Sequence, residues 1–556
     1  MIDVMRSLRF AFTRRRVPAP RVGFPELDLI ATNSGALEVL RGGLHDRRLA
    51  ALRAVLEAGA DRPVLPGLPE LGAAWQLLTA AERRRRTAVR DLLNHPQVGI
   101  WATFVSNRLR SAGADDPDLP GELGHLHTIA VAAAIRAGLE FTHSVPLREG
   151  SVVLPTLGMV TLPSFQPWAI AEVSGDRAGA RITLAGRVVR VPHGPGWVPM
   201  RRLRIETDTD PWDLWLDDID PYRTINAPVA PDRLAPSEHQ RWRDQVSAAW
   251  QLLATERPGM ADQLRTGLTV LIPGNPDQIA GLVGTFGAAT LALPDDPAGL
   301  AAGLVREFWH GKLLALLDMI QLWQPDRPAL LYAPWRDDPR PVSAVLAGSY
   351  AFAGMAEFWQ AHRLATDDPL AHFEFALRAD QVRHALRALS GSDTLTDAGR
   401  EFIAALGRTI ASWAEPVPGL PAVLAQQATA DHFVTWRLRH LRPDPASGTF
   451  QLSPDGATGP DQRPRTQLTR LLLRDPDRFA ALMSDPANAA TEIPGATEAD
   501  VLLIAGDTRG AADAYQARLS LDPADISSWV GLALAQRQPE LLVEPERAYA
   551  RYRQLT

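Results

Sequence analysis

The chain of 556 residues contains no cysteine and a single lysine. Without cysteine there can be no disulfide, thiolate zinc site, iron–sulfur cluster or cysteine nucleophile. Of the 58 basic residues all but Lys312 are arginine. A planar guanidinium cannot always replace a compact ammonium, which gives the surviving lysine a reading of its own. Long apolar runs are also missing: no stretch reaches the roughly 18 residues that a membrane-spanning helix needs. The basic start over residues 1–16, with Arg6, Arg9, Arg14, Arg15 and Arg16, lacks the continuous apolar stretch of a secretion signal. Charge of either sign is modest. A net charge of −6 and a pI near 6.1 speak against a general nucleic-acid binder. Neither a phosphate-binding glycine loop nor a GxSxG elbow is present. Hydrophobic content of 46% with 22% charged residues is the profile of a folded chain. The expectation is a cytoplasmic protein of about two to four domains, with neither membrane nor nucleic acid as a partner.

The periodicity reads as mainly α with a β-rich insertion, an α+β class. Leu37, Leu40, Leu44, Leu49, Leu52 and Leu56 recur at near-helical spacing, as do Leu77, Leu78, Val89, Leu92 and Leu93. Residues 129–139 predict a further apolar helix. The pattern then changes to short β-branched runs, among them Val152-Val153-Leu154, Ile182-Thr183-Leu184 and Val188-Val189-Arg190-Val191. Helices are predicted again over 242–253, 279–291, 300–322, 345–363 and 370–389. The expected division is an N-terminal helical region 1–144, a β-rich subdomain 145–235, a helical core 236–440, a linker 441–465 and a helical tail 466–556. In the tail, Gly506-Asp507, Ala511, Tyr515, Asp522-Pro523, Trp529 and Leu532 have the offsets of a tetratricopeptide-like helical hairpin, either a partner surface or a structural cap.

The segment that carries chemistry is Arg306-Glu307-Phe308-Trp309-His310-Gly311-Lys312. An HExxH helix sets two histidines one turn apart on one face, where both bind a metal and the adjacent glutamate serves as base. Here the first histidine is Arg306, which stays protonated and has no lone pair to donate. Around this helix stand Leu216-Asp217-Asp218-Ile219-Asp220-Pro221-Tyr222-Arg223 upstream, and Pro334-Trp335-Arg336-Asp337-Asp338-Pro339-Arg340-Pro341 and Gly348-Ser349-Tyr350-Ala351-Phe352 downstream.

Taken in this order, those strings resemble the HExxH-motif peptide-modification family, over at least residues 140–425. Its members are encoded beside ribosomally made peptide natural products and are described as iron(II)- and 2-oxoglutarate-dependent peptide β-hydroxylases. The resemblance implies Fe(II) on His310, with Glu307 as a second ligand or base. It implies a cosubstrate or peptide carboxylate on Arg336 or Arg340, and a precursor peptide or a sister biosynthetic enzyme as partner. The departures are Arg306 at the first metal position and Phe352 where some members carry another histidine. Glu357, His362 and His372 are the nearby donors from which a rearranged site would be built.

Three readings stay open. Arg306 replaces the ion's charge and the pocket binds a peptide or anion without oxygen chemistry; or the enzyme is active with recruited ligands; or the fold serves as a scaffold. A zinc peptidase would need three protein ligands. Arg336 and Arg340 either fork a carboxylate or make salt bridges with Asp337, Asp338 or Asp217. Asp217, Asp218 and Asp220 lack the glycine and distant glutamate of a calcium loop, which favours an Asp–Arg network. His125, His127, His143 and His193 read as surface or hydrogen-bonded histidines. Lys312 either contacts the ligand or anchors a neighbouring element, since two residues past His310 it points away from that side chain.

Overall fold

A computed structural model describes residues 34–555, apart from 112–115, 165, 209, 225–226, 275–285, 318, 326–328, 414–415, 444–448, 454–462 and 538. The basic start over 1–16 therefore lies outside the described residues. The chain divides into two compact units, Met1–Ile320 and Gln321–Thr556. That boundary falls inside the region 236–440 that the sequence reads as one helical core.

The first unit begins with helices α1 (Ser34–Gly59), α2 (Leu71–Arg84), α3 (Arg86–Leu93), α4 (Pro96–Ser111) and α5 (Leu119–Ala137). In α3 the spacing of Val89, Leu92 and Leu93 puts all three on the buried face. Helix α5 is buried nearly all round, enclosed by other elements. Gly138 ends it at φ 63°, a left-handed conformation in which its N–H returns to the Ala134 and Ile135 carbonyls.

Seven antiparallel strands follow: β1 (Phe141–Arg148), β2 (Ser151–Leu154), β3 (Gly158–Thr161), β4 (Trp168–Asp176), β5 (Gly179–Leu184), β6 (Arg187–Val191) and β7 (Trp197–Pro199), in the order β6-β5-β4-β1-β2-β3-β7. Glu149 at φ 46° and Gly150 at φ 77° form the tight turn between β1 and β2, with Arg148 paired to Ser151. Alternation along the strands buries Val145 and Leu147, Ala171 and Val173, Ala180 and Ile182, Val189 and Val191. These residues join the core of α1–α5, and α5 packs on β1, β2 and β4.

A second sheet, in the order β11-β10-β9-β8, contains β8 (Arg201–Ile205), β9 (Trp212–Leu216), β10 (Val270–Pro273) and β11 (Ala288–Leu291). Helices α6 (Pro236–Glu256) and α7 (Pro258–Gly267) connect β9 to β10, which pair in parallel. The β-rich part thus starts at Phe141 and recruits two strands from beyond 235. The helix predicted over 279–291 is corrected: residues 279–285 lie outside the described residues, and Ala288–Leu291 is a strand parallel to β10. A short apolar run buried on both faces has no periodicity to separate strand from helix. Helix α8 (Pro297–Leu317) then packs against α6 and β11.

The second unit is helical: α9 (Val342–Thr366), α10 (Pro369–Ser390), α11 (Asp397–Ala411), α12 (Gly419–His440), α13 (Pro464–Arg474), α14 (Pro476–Ser484), α15 (Ala489–Glu492), α16 (Glu498–Ala505), α17 (Thr508–Leu521), α18 (Ile526–Gln536), α19 (Pro539–Val543) and α20 (Pro545–Leu555). Two small hairpins interrupt it, β12 (Leu330–Leu331) with β13 (Arg340–Pro341), and β14 (Leu441–Pro443) with β15 (Phe450–Leu452). The second hairpin occupies described residues of the segment read as a linker over 441–465. In the tail, α17 and α18 pack together, and the Tyr515 ring lies where a Cβ on Gly531 would stand, at 2.2 Å.

A buried ion network ties four helices of this unit. Arg465 of α13 donates to Asp431 of α12 at 2.7 Å and to Asp500 of α16 at 2.8 Å, and the Tyr515 hydroxyl of α17 donates to Asp500 at 2.6 Å. Removing one partner of such a network leaves uncompensated buried charge. Arg465→Met is expected to lower the unfolding free energy by about 3–5 kcal/mol in chemical denaturation. Arg53→Met, which breaks the exposed i,i+4 pair with Glu57, is expected to cost under about 0.5 kcal/mol.

Candidate functional site

Helix α8 carries the motif in the first unit. Arg306 and Glu307, both half-buried, form an ion pair, with Nη2 and Nε at 2.7 and 3.0 Å from the same Glu307 oxygen. The motif's carboxylate is thus neutralised by the residue that stands in the first histidine position. His310 is half-buried, and burial pushes its imidazole below the usual histidine range. Glu307 opposes that shift and Arg306 adds to it, so His310 is neutral near pH 7.

Lys312 is buried and points to a neighbouring helix. Its ammonium donates to the Gln263 side-chain carbonyl of α7 at 2.9 Å and sits within 5.5 Å of the Phe308 ring centre and 5.2 Å of the Trp309 ring centre. The Phe308 ring in turn occupies the space above Gly267, where a Cβ would stand 2.2 Å from it. Lys312 therefore fastens α8 to α7, the anchoring role that its direction from His310 allows. Asp318, just past this helix, lies outside the described residues.

Arg336 and Arg340 belong to the second unit, Arg336 on the loop between β12 and β13 and Arg340 at the start of β13. Both donate to one carboxylate, Asp338, Arg336 Nε to Oδ1 and Arg340 Nη1 to Oδ2, each at 2.9 Å. Burial alone would raise the Asp338 carboxyl; the two guanidiniums outweigh it and hold the group below the usual carboxylate range. This is the salt-bridge arrangement, with Asp338 as the partner. On α9, Phe352 stacks on Trp335, ring centres 4.5 Å apart, and the Trp335 ring lies across Gly348, where a Cβ would stand at 2.2 Å. The Phe352 ring is therefore covered by an indole. His362 stacks on Phe358, and His372 Nε2 lies 2.8 Å from Asp367.

Among the described residues, the group of three side chains placed to hold a metal is elsewhere: His95, Asp217 and Asp220. One donor atom of each lies within 4.8 Å of the others, and all three residues are buried. His95 sits at the junction of α3 and α4. Asp217 and Asp220 lie in the turn that leaves β9. The Asp217 N–H continues the sheet by donating to Leu271 O at 2.8 Å. Asp217 Oδ1 accepts from the N–H groups of Ile219 and Asp220, at 3.2 and 2.9 Å, and Asp220 Oδ1 accepts from Tyr222 N–H at 2.8 Å. The remaining oxygens, Asp217 Oδ2 and Asp220 Oδ2, and His95 Nε2 have no hydrogen-bond partner among the described residues. Burial raises both carboxyls well above the usual range, helped for Asp220 by the charge of Asp217. Burial also depresses His95 to about 3, reinforced by Arg48 and Arg136, so its imidazole is neutral.

Asp218 is the member of the triplet that does form the expected Asp–Arg network. It accepts from Arg233 at 2.8 Å, Arg201 at 3.3 Å and the Leu234 N–H at 3.1 Å. His125 is buried and packs between Trp101 and Tyr222, whereas His127 and His143 are hydrogen-bonded as expected, His127 Nδ1 lying 2.8 Å from His143 Nε2. His95 escaped the sequence reading because nothing in Asn94-His95-Pro96 marks a ligand. The one usable signal was the i,i+3 pair Asp217/Asp220 set among Leu216, Ile219 and Tyr222, which marks acids entering a core. No protein-family model matches the chain, and no curated protein matches it.

The buried lysine gives a pH signature. Desolvation lowers Lys312 to about 7 in the folded protein, against about 10.4 in an unfolded chain. Between those values the unfolded chain holds the extra proton, so this group's contribution is full above about pH 10.4 and lost as pH falls toward 7. The stability of the native protein relative to Lys312→Met is expected to increase from pH 7 to pH 9.5 in urea titrations; a flat difference would refute the assignment. Lys312→Arg keeps its charge throughout and is expected to lower the unfolding midpoint at both values.

Proposed function

We propose that the chain is a non-catalytic, peptide-binding relative of the HExxH-motif peptide-modification family, acting in the biosynthesis of a ribosomally made peptide. The observation that carries this reading is the Arg306–Glu307 ion pair at 2.7 Å. A facial iron site needs three donors on one side of the metal. Here a permanent cation replaces the first donor and engages the motif carboxylate, leaving His310 as the remaining motif ligand. The Trp335–Phe352 stack and the attachment of Arg336 and Arg340 to Asp338 favour the same reading over an iron- and 2-oxoglutarate-dependent hydroxylase. The ligand is then a precursor peptide, or a sister enzyme of the pathway. The tail is read as a tetratricopeptide-like hairpin, consistent with the burial of Ala511, Tyr515 and Trp529 at the signature positions.

The test is fluorescence anisotropy with the precursor peptide encoded beside the gene, with and without EDTA. Binding is expected in both conditions, with no gain of an oxygen atom on the peptide under iron(II), 2-oxoglutarate and air. Hydroxylation by the native protein would instead establish the oxidative reading. Arg306→His restores the two-histidine spacing on α8. This variant is expected to retain about one more equivalent of divalent metal than the native chain, read by elemental mass spectrometry.

A further inference from the structure

Three clustered residues that each keep a buried polar atom without a partner are not ordinary packing in a protein core. Nine in ten or more buried polar groups find a partner, and an unpartnered one costs about 1–3 kcal/mol. Asp217 and Asp220 are fully enclosed, and His95 is 3% exposed. Each aspartate has one oxygen committed to backbone N–H groups of the turn, and the other left over. The backbone bonds fix the two carboxylates in orientation, and one donor atom of each aspartate and of His95 lies within 4.8 Å of the others. We propose that His95 Nε2, Asp217 Oδ2 and Asp220 Oδ2 are the protein ligands of a buried structural divalent cation.

The chemistry narrows the ion. One imidazole and two carboxylates form a nitrogen–oxygen donor set with no sulfur, suited to Mn(II), Fe(II) or Zn(II). Donors at about 2.0–2.2 Å from such an ion lie roughly 3–4.4 Å from one another. One donor atom of each residue is already within 4.8 Å of the others, close to that range. A neutral imidazole is the form that ligates, and two carboxylate charges balance a divalent ion. Arg223, the nearest cation of the turn, is directed to backbone carbonyls, donating to Asp220 O at 2.9 Å and Ala230 O at 2.8 Å.

The role follows from the chain segments the site joins. His95 belongs to the break between α3 and α4, and the aspartates to the exit of β9, so a bound ion ties the helical layer to the second sheet. The residues that line the cleft beside Pro221 and Tyr222 include none of the three ligands, and the site is enclosed. It therefore holds the fold together and takes no substrate. It is separate from α8 and stands whether or not the peptide-binding reading does.

The rival explanation is a proton shared between the two carboxyls, and the experiment separates the two. The full-length native protein is stripped with chelator and titrated with Mn(II), following loss of the free-ion electron paramagnetic resonance signal, with thermal unfolding alongside. The proposal expects about one equivalent bound and an unfolding midpoint raised by several degrees, with Zn(II) competing. Asp220→Asn and His95→Gln are each expected to weaken Mn(II) binding at least tenfold and to abolish the metal-dependent shift. Arg306→His is expected to leave this site unchanged while adding its own. No Mn(II) or Zn(II) binding by the native protein, with an unfolding midpoint indifferent to both ions and to chelator, would overturn the proposal. Asp220→Asn as stable as the native protein, as the shared proton predicts, would do the same. If either variant fails to fold, the native titration and chelator shift still decide.

Discussion

The first unit depends on a turn that carries three carboxylates into its interior. Asp217, Asp218 and Asp220 follow β9 and are all enclosed. Desolvating an ionised carboxylate costs several kcal/mol unless charge or hydrogen bonds replace the water. Much of the surrounding structure supplies that replacement. Arg201 from β8 and Arg233 from the segment before α6 converge on Asp218, while the turn's own N–H groups take one oxygen each from Asp217 and Asp220. A fourth buried acid, Glu122 of α5, receives the Tyr222 hydroxyl and Arg148 of β1. The exit of β9 is thereby bound to the central helix, to the seven-stranded sheet through β1, and to its own sheet through β8 and β10.

The second unit treats the same problem differently, and the contrast is informative. There Asp431 and Asp500 share Arg465, and Asp500 also receives Tyr515 and the Thr497 hydroxyl. Glu374 lies between Arg378 and Arg470, which outweigh burial and hold it at about 2. Acids buried in that unit meet guanidiniums that the sequence itself provides. A chain with 57 arginines had ample means to do likewise at Asp217 and Asp220. There the buried Arg223 acts on both carboxyls through space while its donors go to backbone carbonyls, and a neutral histidine stands beside them.

Legibility from sequence followed the range of the interactions. The helices of both units were readable because their apolar spacing is local: Leu37 to Leu56 gave α1, and Val89, Leu92 and Leu93 gave α3. The turn-bounded β-branched runs gave the antiparallel sheet for the same reason. Strand β11 was not legible, because a doubly buried strand pairs with a distant segment and its own residues show no alternation. The direction of Lys312 followed from helix geometry, but its partner Gln263 did not, since the α7–α8 contact is tertiary. For Arg336 and Arg340 the sequence left open a ligand carboxylate or Asp337, Asp338 or Asp217, and the structure shows Asp338, two residues from each. His95 could not be matched to Asp217, since chain topology alone brings the α3–α4 junction to the end of β9.

On α8 a half-buried carboxylate and the guanidinium beside it constrain one another. Glu307 is only 13% exposed in its side chain, and a carboxylate so placed needs a counter-charge. In an HExxH sequence the ion supplies it. When the first histidine is absent the ion is weakly held, and the glutamate would be left unpaired. A small or neutral residue at 306 would expose that cost. Arginine removes it with a charge that pH does not change, and it reaches the glutamate from the adjacent position because its side chain is long. The neighbouring ionisable groups conform to the same low-dielectric setting: His310 is neutral, and Lys312 is shifted toward neutrality. The guanidinium supplies the charge balance for Glu307 on a helix that packs against α6 and β11.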